Sequence, residues 1–213
     1  MKTRSKALLL TLCAVLLVAA SVLGTMAYLT SSDTVTNTFT VGSVAIKLDE
    51  AQANTDGTLV PNAERVKANS YKLLPGHTYN KDPMVTVLSG SEPSYVKMTV
   101  TFSKANELDA IFAPGGADLT KIFNGYDPAN WTYKDNTTDV TANTRTYEFW
   151  YKEAVGAPNG DVALDALFDS ITVPGTITGE QLKTIGGMTI TVNAYAIQAD
   201  GFADAGAAWA AFN

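Results

Sequence analysis

The chain has one cysteine and one histidine in 213 residues, and neither sits where catalysis or metal binding would need it. Cys13 lies inside an apolar N-terminal run, so the chain beyond it has no thiol for a disulfide, a thiolate metal site or a covalent nucleophile. His77 stands alone in the turn Pro75-Gly76-His77-Thr78. A zinc peptidase helix needs HExxH, two His on one face plus a Glu, and that motif is absent. A Ser-His-Asp triad would have only His77 to draw on, without a Gly-x-Ser-x-Gly elbow, and no phosphate-binding or dinucleotide fingerprint is found. Basic charge is scarce as well. Fifteen Lys and Arg stand against 21 Asp and Glu, a net charge of −6, and Lys2, Arg4 and Lys6 all fall in the first six residues. The remainder is therefore more acidic than the whole, which argues against nucleic acid and anionic lipid as partners. There is no solenoid repeat, no long low-complexity tract and no Pro-rich linker.

What is present begins with the one long hydrophobic run. Lys2, Arg4 and Lys6 form a basic n-region, Ala7 to Leu23 carries no charge, and Thr25-Met26-Ala27 ends the run with small residues before a polar stretch. This is the pattern of a secretory signal peptide over 1–27, cut between Ala27 and Tyr28. An uncleaved anchor is the other reading, since the run approaches the ~20 residues that span a bilayer. Cleavage would leave residues 28–213, a normal size for one domain, without a membrane segment.

From Leu29 to Val41 the larger apolar groups, Leu29, Val35, Phe39 and Val41, take odd positions. After Gly42 they take even ones, Val44, Ile46 and Leu48. A parity change of this kind is what an inserted residue or bulge produces, and Gly tolerates it. Two strand segments with different neighbours are expected, about 29–41 and 43–49; a single bent strand in its own sheet is the alternative. The chain then divides into 1–27 signal peptide, 28–41 N-terminal strand and 42–213 β-sandwich.

Gly24-Thr25-Met26-Ala27-Tyr28-Leu29-Thr30 followed by Asn37-Thr38-Phe39-Thr40-Val41-Gly42-Ser43-Val44 resembles the start of TasA/camelysin-type proteins, a signal peptide running directly into a fixed strand motif. The match covers about fifty residues. It implies a protein exported from a Gram-positive cell with a SipW-dependent signal peptide, hence a dedicated signal peptidase as partner. It further implies a jelly-roll β-domain that self-assembles into extracellular biofilm-matrix fibres by exchanging its N-terminal strand, with an accessory matrix protein beside it. Leu29, Val35, Phe39 and Val41 would then be the assembly interface. Some members are labelled camelysin, a proposed metallo-endopeptidase, but no residues here match such a site.

The rest of the chain reads as short strands between turns. Residues 51–68 are polar with Asp56-Gly57 and read as a loop or mobile hairpin, and 71–74 as a short strand. Met84 to Leu88 and Tyr95 to Ser103 read as strands, the second with Val96, Met98, Val100 and Phe102 on one face. Leu108, Ile111 and Phe112 fit a helical turn, and Asp118 can cap another carrying Leu119, Ile122 and Phe123. Strands are expected at 131–134 and 145–152 around a polar 135–144 loop. Leu164, Leu167, Phe168 and Ile171 fit an amphipathic helix, and Thr178 with Gln181 a capping box. Met188 to Ile197, apolar on both faces near its end, reads as a central strand, and 202–212 as a short C-terminal helix. The fold class is mainly β, a jelly-roll-like antiparallel sandwich with short inserted helices.

Three weaker sites remain. Asp161, Asp165 and Asp169 would share one face of a helix, a carboxylate set or a solvated face. Loops around Asp135 to Asp139 and Asn159 to Asp161 offer oxygen ligands for calcium without EF-hand spacing. Trp150, opposite Tyr147, Phe149 and Tyr151, could present an aromatic platform to a sugar or a neighbouring subunit. The sequence thus points to a secreted, non-catalytic structural subunit without a cofactor. A monomeric cell-surface adhesin or carbohydrate-binding domain is the alternative, and a camelysin-like peptidase the reading with no residues to carry it.

Overall fold

The computed structural model describes residues 3–26, 42–111 and 123–212, in two compact units that divide between Val41 and Gly42. In the first unit Thr3–Met26 is helix α1, a stretch rich in Ala and Leu and free of proline. Its described side chains, residues 5–18, are exposed. Among the described residues no helix is long and apolar enough to cross a membrane.

The second unit is mainly β and antiparallel. Its larger sheet is built on β4 (Ser91–Ser103), which pairs with β6 (Thr144–Tyr151) on one side and β10 (Ile190–Gln198) on the other. Strand β5 (Trp131–Asp139) pairs with β6 and β7 (Val155–Ala157) with the start of β4, so the order is β10-β4-β6-β5. A second sheet runs β1 (Ile46–Asp49), β3 (Met84–Val87), β8 (Val162–Ala163). The short pair β2 (Thr78–Asn80) and β9 (Ser170–Thr172) completes the strands.

Period-two alternation determines what lies between the sheets. Val96, Met98, Val100 and Phe102 of β4 all face inward and are buried, beside Tyr147 and Phe149 of β6. From the opposite sheet come Val85 and Val87 of β3, and Leu164, Leu167 and Phe168 close one end. Each such side chain contributes roughly 1.5–3 kcal/mol by leaving water. Phe123 sits at the centre, 4.5 Å from the Phe168 ring and in edge contact with Tyr147 and Phe149. A satellite cluster of Tyr79, Val173, Ile177 and Ile185 lies under α3 (Gly179–Thr184).

Several expectations hold in detail. Helix α2 (Ala105–Ile111) buries Leu108. The Thr178–Gln181 capping box opens α3, with Gln181 N donating to Thr178 Oγ1 and Thr178 N to Gln181 Oε1. Helix α4 (Ala205–Ala211), capped by Asp204, docks through Ala208 and Trp209. Residues 112–122, where a second helical turn is expected, lie outside the described residues, while Phe123 just after them is in the core.

Others are corrected. The helix expected over 164–171 is not formed. Leu164, Leu167 and Phe168 reach the core from irregular chain whose backbone bonds elsewhere, Leu164 N to Val85 O and Leu167 N to Pro83 O, and Ile171 reaches it from strand β9. The loop expected at 135–144 is mostly strand, because β5 and β6 continue as a hairpin to the 140–143 turn. Residues 71–74 form no strand, although Tyr71 and Leu73 pack on the satellite cluster. Segment 51–68 forms a hairpin, one of its two expected forms, with an Ala53–Leu59 bridge. Its Gly57 has φ +90°, and a Cβ there would stand 2.6 Å from Thr78 O, so both conformation and space require glycine. Finally, β10 is an edge strand, not a central one: among the described residues it pairs only with β4. Its two-faced apolarity has two causes. Ile190, Val192, Ala194 and Ala196 face the core, while Tyr195 on the other face packs against Phe212 beyond α4.

Candidate assembly edge

The larger sheet ends in two edges that differ in kind. At β5 a bulge between Tyr133 and Asp135 breaks the register, Lys134 lies over the Trp150 ring at 4.2 Å, and Asp135 and Asp139 follow on the edge. Bulges and charges of this sort blunt an edge against further pairing. At β10 the strand Ile-Thr-Val-Asn-Ala-Tyr-Ala-Ile-Gln has nine residues in unbroken register with β4, without a charge or a proline. Among the described residues no second strand pairs with it.

The ladder shows which backbone groups that edge offers. Ser103 N donates to Thr189 O at one end and Ala199 N to Pro93 O at the other. Antiparallel bonding alternates, so odd-numbered residues between them bond β4, and the N–H and C=O of Ile190, Val192, Ala194, Ala196 and Gln198 point away from it. Four of these five also carry the inward, half-buried apolar row. One more strand would satisfy the backbone and finish the burial together.

Below the start of this edge lies a trough. Two cavities of about 510 and 460 Å³ share Asn69, Lys81, Thr189 and Ile190 in their linings. The larger extends over Leu73, Ile171, Val173 and Met188, the smaller over Leu48, Val66 and Val192. The outer wall is residues 65–71, held by charge. Arg65 Nε donates to Asp49 Oδ1 at 2.5 Å and its Nη1 to Asp82 Oδ2 at 2.8 Å. Lys47 adds an ion pair to Asp49 at 2.6 Å. Burial alone would raise the Asp49 carboxyl, but the hydrogen bonds from Lys47 and Arg65 outweigh it and hold its pKa below the ordinary value. Lys81 Nζ donates to Glu50 Oε2 at 2.5 Å, and Asn69 Nδ2 donates to the other Glu50 oxygen at 3.0 Å. Burial, with the Glu50 charge nearby, pushes the Tyr71 phenol up, so it stays neutral and donates to Asn80 O at 2.6 Å.

The sites expected from sequence fare differently. Ala27, Tyr28, Leu29, Val35, Phe39 and Val41 lie outside the described residues. His77 is exposed in its turn, 6.4 Å from the Tyr79 ring. Asp161 and Asp165 do not act as a set: Asp161 accepts from Ser89 N and Asp165 from the Tyr151 hydroxyl. Among the described residues no three His, Cys, Asp or Glu gather as metal ligands. The Trp150 platform is half-buried, with the Trp209 ring of α4 6.3 Å away and the Lys134 ammonium over the Trp150 ring at 4.2 Å. Sequence reasoning missed the β10 edge and the Lys81 trough. The signal for the first was legible, since 188–198 lacks any charged residue; the trough depends on tertiary contacts no spacing records. No protein-family model and no curated protein matches the chain.

Proposed function

We propose that the protein is a secreted structural subunit of extracellular or cell-surface fibres, assembled when the N-terminal strand of one copy adds to the free edge of β10 in the next. The observation that carries this reading is the contrast between the two sheet edges: β5 bulged and charged, β10 long, regular and uncharged. An unpaired edge above a half-filled apolar row is what strand addition uses, main-chain bonds giving affinity and side-chain pockets specificity. The donor is the segment Tyr28 to Val41, with Leu29, Val35, Phe39 and Val41 on one face. Gly42–Asn213 supports that assignment by forming a compact unit with its own core. A head-to-tail contact of this kind does not close on itself and so propagates.

Export by the signal peptide would release Tyr28 as the new N-terminus, through a dedicated signal peptidase, and leave the donor free. The role is structural and involves no catalytic step. The reading is tested at the edge itself. Ala194→Pro removes a backbone N–H that points away from β4, and Thr191→Lys with Asn193→Lys changes only exposed side chains. Both proteins should keep the circular dichroism of the parent and stay monomeric by sedimentation. Fibres from either variant at the parent's rate would overturn the assignment of β10 as the acceptor.

A further inference from the structure

We propose that Lys81 sets the register of the docked strand by taking that strand's one carboxylate, Asp33. The inference rests on the strand-addition reading. Lys81 is where the two cavities under the β10 edge meet, and its side chain is nine-tenths buried. Of the three donors on its ammonium, one is accounted for among the described residues, by Glu50. A buried charge with unfilled donors is costly unless a further acceptor arrives, and the trough is the open side from which one can come.

The surrounding charge favours an anion. Around the trough wall Lys47, Arg65, Lys67 and Lys81 stand against Asp49, Glu50 and Asp82. The cations exceed the acids by one there, in a chain whose net charge is −6, and the linings themselves carry Lys67 and Lys81 against Asp49 and Glu50. The donor segment 28–41 carries one charged residue, Asp33, at an odd position like Leu29, Val35 and Phe39. In an extended strand it therefore faces the same way as they do, about 6.8 Å from Val35. The donor face reads Leu29, Ser31, Asp33, Val35, with one acid among apolar and small polar residues, and the trough places one ammonium, Lys81, between two largely apolar cavities.

Apolar patterning alone leaves a choice that this pair would settle. A slip of one residue turns Leu29, Val35 and Phe39 outward and is excluded by burial. A slip of two keeps the donor's odd face inward but brings Ser31 or Val35 to Lys81, leaving the Asp33 carboxylate unpaired in the trough. The Lys81–Asp33 contact selects among these even slips.

The test uses the processed, secreted protein and synthetic peptides of residues 28–41 as inhibitors of its fibre growth, followed by light scattering. The parent peptide should inhibit. Asp33→Asn, and a peptide with Ser31→Asp and Asp33→Ser that moves the carboxylate by one facing position, should need about tenfold more, the scale of a charged hydrogen bond. Val35→Asp with Phe39→Asp should not inhibit. In a Lys81→Gln protein the parent and Asp33→Asn peptides should become equal. If Asp33→Asn inhibits like the parent while the Val35, Phe39 double variant fails, the register contact is wrong and strand addition stands. If the tenfold gap persists in Lys81→Gln, the carboxylate binds elsewhere. If no peptide inhibits, both proposals fall.

Discussion

Arg65 and Asp49 are joined in the wall of the β10 trough, Nε donating to Oδ1 at 2.5 Å, and the same guanidinium also donates to the Asp49 carbonyl oxygen at 3.2 Å. Asp49 is nearly buried and its pKa is depressed by these partners despite the opposing effect of burial. A depressed folded-state pKa means that the unfolded chain binds the proton first. The stabilisation is therefore complete well above the unfolded value of about 3.9 and is lost as pH falls through the folded value. Thermal unfolding should be flat from pH 7 to 5 and its midpoint should fall below about pH 4. Asp49→Asn should be less stable at pH 7 and show a shallower fall in acid; equal slopes in the two proteins would remove Asp49 as the titrating group.

Replacing Arg65 tests the same wall from its cationic side. Arg65 also binds the Asp82 side chain and its carbonyl oxygen, both at 2.8 Å, so one substitution releases two acids. Arg65 is about one quarter exposed, which weakens the charge contribution by solvent screening. Arg65→Gln should cost about 1–2 kcal/mol in urea unfolding. A change within experimental error would show that the 65–71 wall is held by its backbone bonds alone.

The core gives a larger effect. Phe149 is fully buried, with Phe123, Tyr126 and Tyr133 all within 6.0 Å of its ring centre. Phe149→Ala should destabilise the domain by about 3–5 kcal/mol, the transfer loss plus the cavity left behind. Unfolding by urea measures this directly, and a loss below about 1 kcal/mol would mean that the aromatic cluster collapses into the space.

Amide exchange should carry the parity of the β10 ladder. In the monomer Val192, Ala194 and Ala196 should exchange quickly, while Thr191, Asn193 and Tyr195, bonded to β4, should be protected. In assembled material the even-numbered amides should become protected too. Equal protection of both sets in the monomer would show that the edge is already paired.

How far the sequence led depends on which physical signal each element carries. Strand β4 was legible because Val96, Met98, Val100 and Phe102 alternate without exception, and the Thr178–Gln181 cap because its two hydrogen bonds are local. Leu164, Leu167, Phe168 and Ile171 misled because residues at helical spacing reach one core from two non-helical stretches, the first bonded to Val85 and Pro83 and Ile171 from strand β9. The length of β5 was hidden by its composition: Asp135, Asn136 and Asp139 read as loop, yet they are the polar residues of a blunted edge. At β10 apolar residues on both faces suggested burial between two strands, whereas α4 covers one face through Trp209 and Phe212. The trough was beyond reach, since Lys81, Asn69 and Ile190 meet only through the fold.

In the strand-addition reading Tyr28 to Val41 serves a neighbouring copy and not the domain that follows it. The most direct test of that reading deletes residues 28–38 from the processed protein and compares the truncated and intact forms by electron microscopy, sedimentation and thermal melting. The account predicts fibres from the intact protein, and from the truncated one a monomer with near-native circular dichroism and melting. A truncated protein that unfolds, beside an intact one that stays monomeric at high concentration, would contradict it and place the first strand in its own sheet.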